Sequence, residues 1–496
     1  MLAERQSAAP PMPLGQLLGR ADESIADVMV TGLELDSRRV RPGDLFLAMP
    51  GDVHDGRQFI EQAVANGASA IVAEAPAAGF VDALQVPLVE VPELRLEAGF
   101  LAARYYRHPS RNMHVTGITG TNGKTTVSRV LAQLSRALGK PCGVIGTLGA
   151  TLEEAVVEAG NTTPDPVSLQ RQLALWRQQG VPAVSMEVSS HALVQGRVNG
   201  VEFTTAIFTN LSHDHLDYHG SMTAYAAAKL RLFAVEGLQN AVINADDELA
   251  ALVAASAAGG ARILTYSASG GAADVRVVNA RFHAEGVHAS LQSPWGAGEF
   301  DSPLPGDFNL ANLAAALCAL LLADEELLPL LRAVRELCPV AGRMQRIPNT
   351  LGLQVIVDYA HTPHALEQVL RALRPHVSGE LITVFGCGGD RDRDKRQVMG
   401  RVACEFSDKV FVTSDNPRSE DPLEILQDVA AGLSGSYTLE ADRAAAIATA
   451  LDAACEGDCV LIAGKGHENY QLVEGQRIEF SDAAVALAAL GRRAQA

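Results

Sequence analysis

The sequence predicts an α/β fold in three domains, and three observations carry that expectation. A glycine-rich turn near residue 120 stands between a strand-like stretch and an amphipathic helical stretch. Four short apolar runs in the last third each stop at a polar turn, and apolar stretches near the start alternate with Pro-Gly and Asp-Gly punctuation. At 496 residues there is room for about three domains of roughly 100–200 residues each. We expect a small N-terminal α/β domain over residues 1–110, a central parallel-sheet domain over 111–345 and a doubly wound C-terminal domain over 346–496.

Within the first domain, Asp36-Ser-Arg-Arg-Val-Arg-Pro-Gly-Asp-Leu-Phe-Leu-Ala-Met-Pro-Gly51 begins a run of short strands and turns that reaches about Val91. The second opens with a strand over Met113–Thr119, then the turn, then a helix with Val127, Val130, Leu131, Leu134 and Leu138 on one face and Gly139 at its exit. A buried strand over Gly143–Gly146 completes a βαβ unit. In the third, Val355-Ile-Val, Leu381-Ile-Thr-Val-Phe, Val410-Phe-Val and Val460-Leu-Ile are the strands, with a helical stripe of Leu366, Val369, Leu370 and Leu373 between the first two. In such sheets ligands bind beyond the carboxyl ends of the strands, where all four polar turns fall. No fixed-period repeat occurs, and the Ala-rich stretches 248–261 and 483–495 read as helix surface or a frayed tail.

Composition excludes several classes. With 48% apolar and 20% charged residues the chain is not disordered. Its longest apolar run, Leu313–Ala323, is far short of the roughly 20 residues that cross a bilayer, and Met1-Leu-Ala-Glu-Arg-Gln has no signal-like apolar stretch. A net charge of −18 disfavours nonspecific binding to nucleic acid or anionic lipid. Seven cysteines without a C-x-x-C pair, the closest being Cys455 and Cys459, read as reduced thiols in a cytoplasm.

The strongest motif is Gly117-Ile-Thr-Gly-Thr-Asn-Gly-Lys-Thr125. Glycines let backbone N–H groups curl round phosphate oxygens, the helix N-terminus adds positive potential, Lys124 supplies a charge and Thr125 a hydroxyl for Mg²⁺. The spacing departs from the strict P-loop, because Ile118 stands where a glycine is expected and glycines occupy 117 and 120. The bland alternative is a tight turn with a chance Gly-Lys-Thr. Glu187, in Met186-Glu-Val-Ser-Ser-His191, is a metal ligand or water-orienting group, or else a solvated strand-end residue. His213-Asp-His-Leu-Asp-Tyr-His219 packs three histidines and two aspartates into seven positions, suited to zinc, to Mg²⁺ or to nothing beyond a polar loop. Lys229 lies in a helix and is by default a surface lysine. In Gly306-Asp-Phe-Asn-Leu-Ala-Asn312 helix capping explains one asparagine, not both.

Together, Gly120–Thr125, Glu187–His191, His213–Asp217, Lys229, Gly306-x-Phe-Asn-x-x-Asn312 and Gly342-Arg343 resemble the ATP-dependent Mur ligases of peptidoglycan synthesis, in particular the branch that adds the third stem-peptide residue. The resemblance runs from Asp36-Ser-Arg38 to Gly464-Lys-Gly-His-Glu468. It implies a UDP-binding domain, a central P-loop-type ATPase domain and a C-terminal Rossmann-like domain that brings the amino acid. It places Ser37 at the uridine end, and Asn161, Thr162, Thr163, Ser189, Gln195 and Arg197 at the diphosphate and muramoyl-dipeptide. Gly120, Thr121, Asn122, Gly123, Lys124, Thr125, Thr126, Asn309, Asn312, Arg343 and Asp358 correspond to ATP contacts. Thr125, Glu187 and His215 correspond to positions of two Mg²⁺ ions, and Lys229 to a lysine carried as a carbamate that helps hold the second. Lys124, His215 and Lys229 would be the catalytic set.

For the incoming amino acid, Asp415-Asn416-Pro417-Arg418 resembles the meso-diaminopimelate signature, with Arg391, Gly464 and Glu468 as further matches. A planar guanidinium suits the second carboxylate of diaminopimelate and a nearby acid its second ammonium. His364, where the family often has Asp, and Gln345, where Glu is frequent, are departures near the nucleotide end. The resemblance implies an acyl-phosphate route with UDP-N-acetylmuramoyl-L-alanyl-D-glutamate, ATP and diaminopimelate as substrates, in a cytoplasmic monomer. A MurF-like or folylpolyglutamate synthase-like ligase, or a non-ligase NTP-binding switch, are the rival readings.

Overall fold

The computed structural model describes residues 9–51, 54–77, 79–80, 84–153, 155–157, 161–283 and 286–495. They divide into two compact units. One runs through Gly120 and includes Gly139–Ile243 and Asp247–Leu264; the other comprises Thr121–Leu138, Asn244–Asp246 and the chain from Thr265.

The first unit holds two parallel sheets. In the smaller, Gly32–Glu34, Asp44–Ala48, Ala70–Glu74 and Leu88–Val91 lie side by side in chain order. Alternation along the strands sends Leu45, Leu47 and Val72 into one core and Phe46, Ala48, Ile71 and Ala73 into another, so both faces are covered. In the larger, the parallel strands stand in the order Cys142–Gly146, Ala183–Glu187, His114–Thr119, Thr205–Phe208 and Asn240–Asn244. The strand after the first crossover is thus displaced one place, and Ala183–Glu187 lies directly beside His114–Thr119. That reversal of winding leaves a crevice at the carboxyl ends of these two strands.

In the second unit, the helix Lys124–Ala137 buries Val127, Val130, Leu131 and Leu134 of the predicted stripe, while Leu138, its last member, is the half-buried C-cap; the helix packs on the helix Asp307–Leu322. Val275–His283, Gly286–Ser293 and Gly296–Ser302 form an antiparallel ribbon. The C-terminal sheet places Gln354–Asp358, Cys459–Ala463, Leu381–Phe385, Lys409–Val412 and Tyr437–Leu439 in parallel, with Gln345–Arg346 antiparallel at one edge. Ile356, Phe385, Val412 and Leu461 face one core, and Val355, Val384, Phe411 and Ile462 the other. All four predicted strands are present. The Ala-rich terminus is neither mere surface nor frayed: it is the helix Asp482–Arg493, whose Ala486, Ala489 and Leu490 are buried. Among the described residues no helix is long and apolar enough to cross a membrane.

Candidate active site

In the first unit the parallel register sets Glu187 opposite Ile118 and Phe208 opposite Thr119, so Glu187 and Thr209 meet the chain where Gly120 leaves the sheet. Glu187 is not solvated as its strand-end position suggests. It is 1% exposed, and its carboxylate accepts from the Thr147 N–H (2.9 Å) and the Thr147 hydroxyl (3.2 Å). The approach requires glycine at 146, where a Cβ would lie 2.0 Å from Glu187 Oε1.

Lys229 also departs from its default. It is 2% exposed, with Nζ donating to the Gly120 carbonyl at 2.8 Å and lying 4.3 Å from the Tyr225 ring centre. Around Tyr225 gather His215 and His219, and His191 touches both histidines and Tyr218. Burial, with His191 and Lys229 nearby, holds His219 below the usual imidazole range, and its Nε2 shares a hydrogen with the Ser190 hydroxyl at 2.9 Å. His215 keeps φ at +53° and is half-exposed, whereas His213 faces solvent. The dense His-Asp loop therefore contributes His215 and His219 to the cluster. His191, from a different motif, completes it.

A chain of polar contacts joins this cluster to the predicted substrate residues. Thr162 and Thr147 share a hydrogen bond of 3.1 Å, and the Thr163 hydroxyl donates to the Glu187 carbonyl at 2.9 Å while accepting from Ser189 N–H at 3.1 Å. Arg197 donates to the Thr163 carbonyl and to Gln195 Oε1, and Gln195 Nε2 donates to the Tyr218 hydroxyl. Ser37, Asn161, Gln195 and Arg197 line one cavity of about 580 Å³, with His54 and Arg95 on its wall. The Ser37 hydroxyl donates to Gln62 Oε1 at 2.7 Å, which holds it at the cavity edge.

In the second unit, Gly123 has φ +88° and would place a Cβ 2.3 Å from Asn312 Oδ1, so the loop needs glycine there for conformation and for space. Lys124 Nζ donates to the Thr121 carbonyl at 2.8 Å, and Thr125 and Thr126 are buried at the start of the helix. Neither asparagine of the 306–312 motif caps its helix, because Gly306 occupies the N-cap. Asn309 instead donates to the Pro305 carbonyl and accepts from Asn312 Nδ2 at 3.1 Å.

Further along, Arg343 stacks on Tyr359 with 4.4 Å to the ring centre, and Tyr359 contacts the ring of His467. Asp358 accepts from Met344 N–H (2.7 Å) and Ala360 N–H (2.8 Å); burial pushes its carboxyl up, against the pull of Arg343. Gln345 Oε1 accepts from Gly342 N–H, and His364 is exposed.

The turns after Val410-Phe-Val and Val460-Leu-Ile carry the remaining predicted residues. Asp415, Asn416 and Pro417 are buried, while Arg418 is half-buried with φ +57° and donates from Nη1 to the Gly389 carbonyl at 2.6 Å. Glu468 accepts from Asn416 Nδ2 at 2.9 Å, and a Cβ on Gly464 would touch Asp415. Arg391 is exposed and makes no hydrogen bond or ion pair with this group among the described residues. Sequence reasoning missed two fully buried cations beneath these turns. Lys465 reaches Glu468, Asn416 and Asp415, and Arg443 pairs with Asp482 at 2.7 and 2.8 Å while donating to the Ser414 and Ala463 carbonyls. Lys465 stood inside a quoted motif; Arg443 carried no local signal.

Family models match in three consecutive stretches: the Mur ligase family catalytic domain over residues 29–106, the Mur ligase middle domain over 118–320 and the Mur ligase glutamate ligase domain over 342–466. The chain is 49% identical over 474 residues, 95% of this chain and 96% of the other, to a UDP-N-acetylmuramoyl-L-alanyl-D-glutamate–2,6-diaminopimelate ligase of Ectopseudomonas mendocina. A solved structure of a ligase of the same name matches with TM-score 0.73 and 38% identity, covering 97% of this chain and 99% of that one. A MurF ligase from Thermotoga maritima in complex with ADP shares the fold, with TM-score 0.66 and 19% identity over 93% and 98% of the two chains. With matching domains in this order and a relative nearly half identical along its length, the chain belongs to the Mur ligase family.

Proposed function

We propose that this chain is an ATP-dependent ligase that joins meso-2,6-diaminopimelate to UDP-N-acetylmuramoyl-L-alanyl-D-glutamate in the cytoplasmic synthesis of a peptidoglycan precursor. The observation that carries this reading is 49% identity along nearly the whole chain to a ligase of that name. The likeness to MurF and folylpolyglutamate synthase structures is 18–20% in identity and extends to the fold alone, so those rivals have less support. A non-ligase switch would leave the Asp415–Arg418 turn without work.

We assign the UDP-substrate to residues 1–110 and the cavity of Ser37, Asn161, Gln195 and Arg197, with Thr162, Thr163 and Ser189 behind it. ATP is assigned to the central residues 111–345, where Gly120–Thr126, Asn309, Asn312 and Arg343 serve it, with Asp358 just beyond. Diaminopimelate falls to 346–496. The D-glutamyl carboxylate attacks the γ-phosphorus, giving an acyl phosphate and ADP; the diaminopimelate amine then attacks the acyl carbon and releases phosphate. Neither step needs a protein nucleophile, so the protein's part is positioning and charge neutralisation. Lys124 supplies a cation for the transferred phosphoryl group.

Within the first unit the donor chemistry suits Mg²⁺: carboxylate at Glu187 and imidazole at His215 are ligands a hard cation accepts together with water. Among the described residues no three His, Cys, Asp or Glu side chains converge as a metal site, so a carbamate on Lys229 would add the anionic oxygens that this set lacks. When bound, Mg²⁺ offsets the charge of the phosphate oxygens. The reading is tested by phosphate release with UDP-N-acetylmuramoyl-L-alanyl-D-glutamate across a panel of amino acids. Release that depends on both the nucleotide-sugar and diaminopimelate is expected; ATP turnover without the nucleotide-sugar would refute it.

A further inference from the structure

We propose that Lys465 sets the charge balance of the amino-acid site and thereby selects a zwitterionic terminus over a lone ammonium. This rests on the diaminopimelate reading above. Lys465 has no solvent exposure and stands on the turn after the Cys459–Ala463 strand. Its Nζ donates to Glu468 Oε2 at 3.0 Å and Asn416 Oδ1 at 3.1 Å, with Asp415 Oδ1 at 3.4 Å, so three acceptors take the three hydrogens of the ammonium. The Tyr470 ring, 5.6 Å away, covers it.

What remains open around this knot is specific. Among the described residues, Glu468 Oε1 and Asp415 Oδ2 accept no hydrogen bond. Arg418 uses Nη1 on the Gly389 and Asn416 carbonyls, and among the described residues its Nε and Nη2 edge has no acceptor. The site thus offers a cationic edge and anionic oxygens at once. Its two carboxylates are balanced by one ammonium and one guanidinium, and the Arg443–Asp482 pair below is balanced too.

An ammonium and a carboxylate on one carbon, as at the far end of diaminopimelate, meets both open groups and leaves the balance at zero. The side-chain end of L-lysine adds an uncompensated cation and leaves the Arg418 edge unpaired. In a desolvated site an uncompensated unit charge is the costlier defect. Without Lys465 the same open groups would carry an excess of one negative charge, which favours the lone ammonium. Lys465 is therefore a positioning and charge-balancing residue, acting through Asp415, Asn416 and Glu468.

The test uses the full chain with saturating ATP and UDP-N-acetylmuramoyl-L-alanyl-D-glutamate, measuring amide formation with meso-diaminopimelate and with L-lysine. In Lys465→Met the ratio of the two kcat/KM values should fall by about tenfold or more, through KM for diaminopimelate, while KM for ATP stays within about twofold. Lys465→Arg keeps the charge and should hold the ratio within about threefold of wild type. The double variant Lys465→Met with Asp415→Asn leaves no unbalanced charge, so it should fold even where the single variant does not and should recover most of the preference. Equal losses for both amino acids in Lys465→Met, or a double variant that folds without preferring diaminopimelate, would overturn the proposal alone. A wild type that does not prefer diaminopimelate would overturn the functional reading with it.

Discussion

Lys229 Nζ lies 2.8 Å from the carbonyl oxygen of Gly120, a residue 109 positions earlier, where the strand His114–Thr119 gives way to the glycine-rich turn. A lysine whose only role was solubility would not be 2% exposed on a helix. If Lys229 carries the proposed carbamate, Lys229→Ala should be nearly inactive and recover part of its activity with short carboxylic acids, whose oxygens would replace the carbamate's. Mass spectrometry under native conditions should show the added mass on Lys229. A bare ammonium in a fully active preparation would contradict this.

Lys124 donates to Thr121 within its own loop, so its removal takes away a charge without emptying a core. Lys124→Ala should fold normally by circular dichroism and retain less than about a tenth of kcat, a barrier change above ~1.4 kcal/mol. Greater retention would count against the phosphate-loop assignment.

Gly146→Ala tests Glu187 indirectly. The new methyl would stand 2.0 Å from Glu187 Oε1 and must push the carboxylate off the Thr147 N–H. The Mg²⁺ concentration for half-maximal activity should rise about tenfold or more, whereas Gly259→Ala, with open space around its Cβ and no left-handed φ, should leave it unchanged. An unaltered Mg²⁺ dependence in Gly146→Ala would remove Glu187 from the metal site.

The parts of the fold legible in the sequence are those written in local periods. The Val127–Leu134 stripe, the Leu366–Leu373 stripe and the four C-terminal strands need only neighbours three, four or two residues away. The site was legible where motifs are contiguous, as at Gly120–Thr125 and Asp415–Arg418. It was illegible where a side chain's environment is made by distant chain. Lys229 reads as surface until Gly120 and Tyr225 enclose it, and capping leaves one asparagine of the 306–312 motif unexplained until Asn312 is seen against Gly123. Arg443 sits in an alanine-rich helix and shows its purpose only through Asp482, 39 residues on.

His467 couples stability to pH. Burial first, then Arg343 and Lys465, push its imidazole down to about 4, and its Nδ1 has no hydrogen-bond partner among the described residues. The unfolded chain's imidazole protonates near 6.5, so between pH 6.5 and 4 protons bind the unfolded chain preferentially and stability falls as pH falls. Below 4 both states are protonated and the loss levels off, on the order of 3 kcal/mol for a shift of this size. Urea unfolding of His467→Gln at several pH values should give a flatter stability curve than wild type across that window. Parallel curves would show that the ring is not held neutral.

On the proposed reading, Arg418 is the residue expected to decide the amino acid most directly. Its backbone is fixed on both sides, the N–H donating to the Leu472 carbonyl at 2.9 Å and its carbonyl accepting from Glu474 N–H at 2.7 Å, so side-chain replacement should leave the turn in place. Among the described residues the guanidinium is steadied through Nη1 alone, on the Gly389 and Asn416 carbonyls, so Nε and Nη2 should form a two-point pair with the distal carboxylate of meso-diaminopimelate. L-Lysine has no such carboxylate and leaves two charged hydrogen bonds unmet, at roughly 1.5–3 kcal/mol each, enough for a preference above ~10³ in kcat/KM. Arg418→Ala should raise KM for diaminopimelate sharply and shrink its advantage over lysine, with ATP and UDP-substrate affinities nearly unchanged. Arg418→Lys should fare little better, because a point charge cannot reproduce the planar two-donor edge. If Arg418→Lys keeps the full preference, charge alone suffices and the paired geometry is wrong; if wild type uses L-lysine as efficiently as diaminopimelate, Arg418 is not the selecting group.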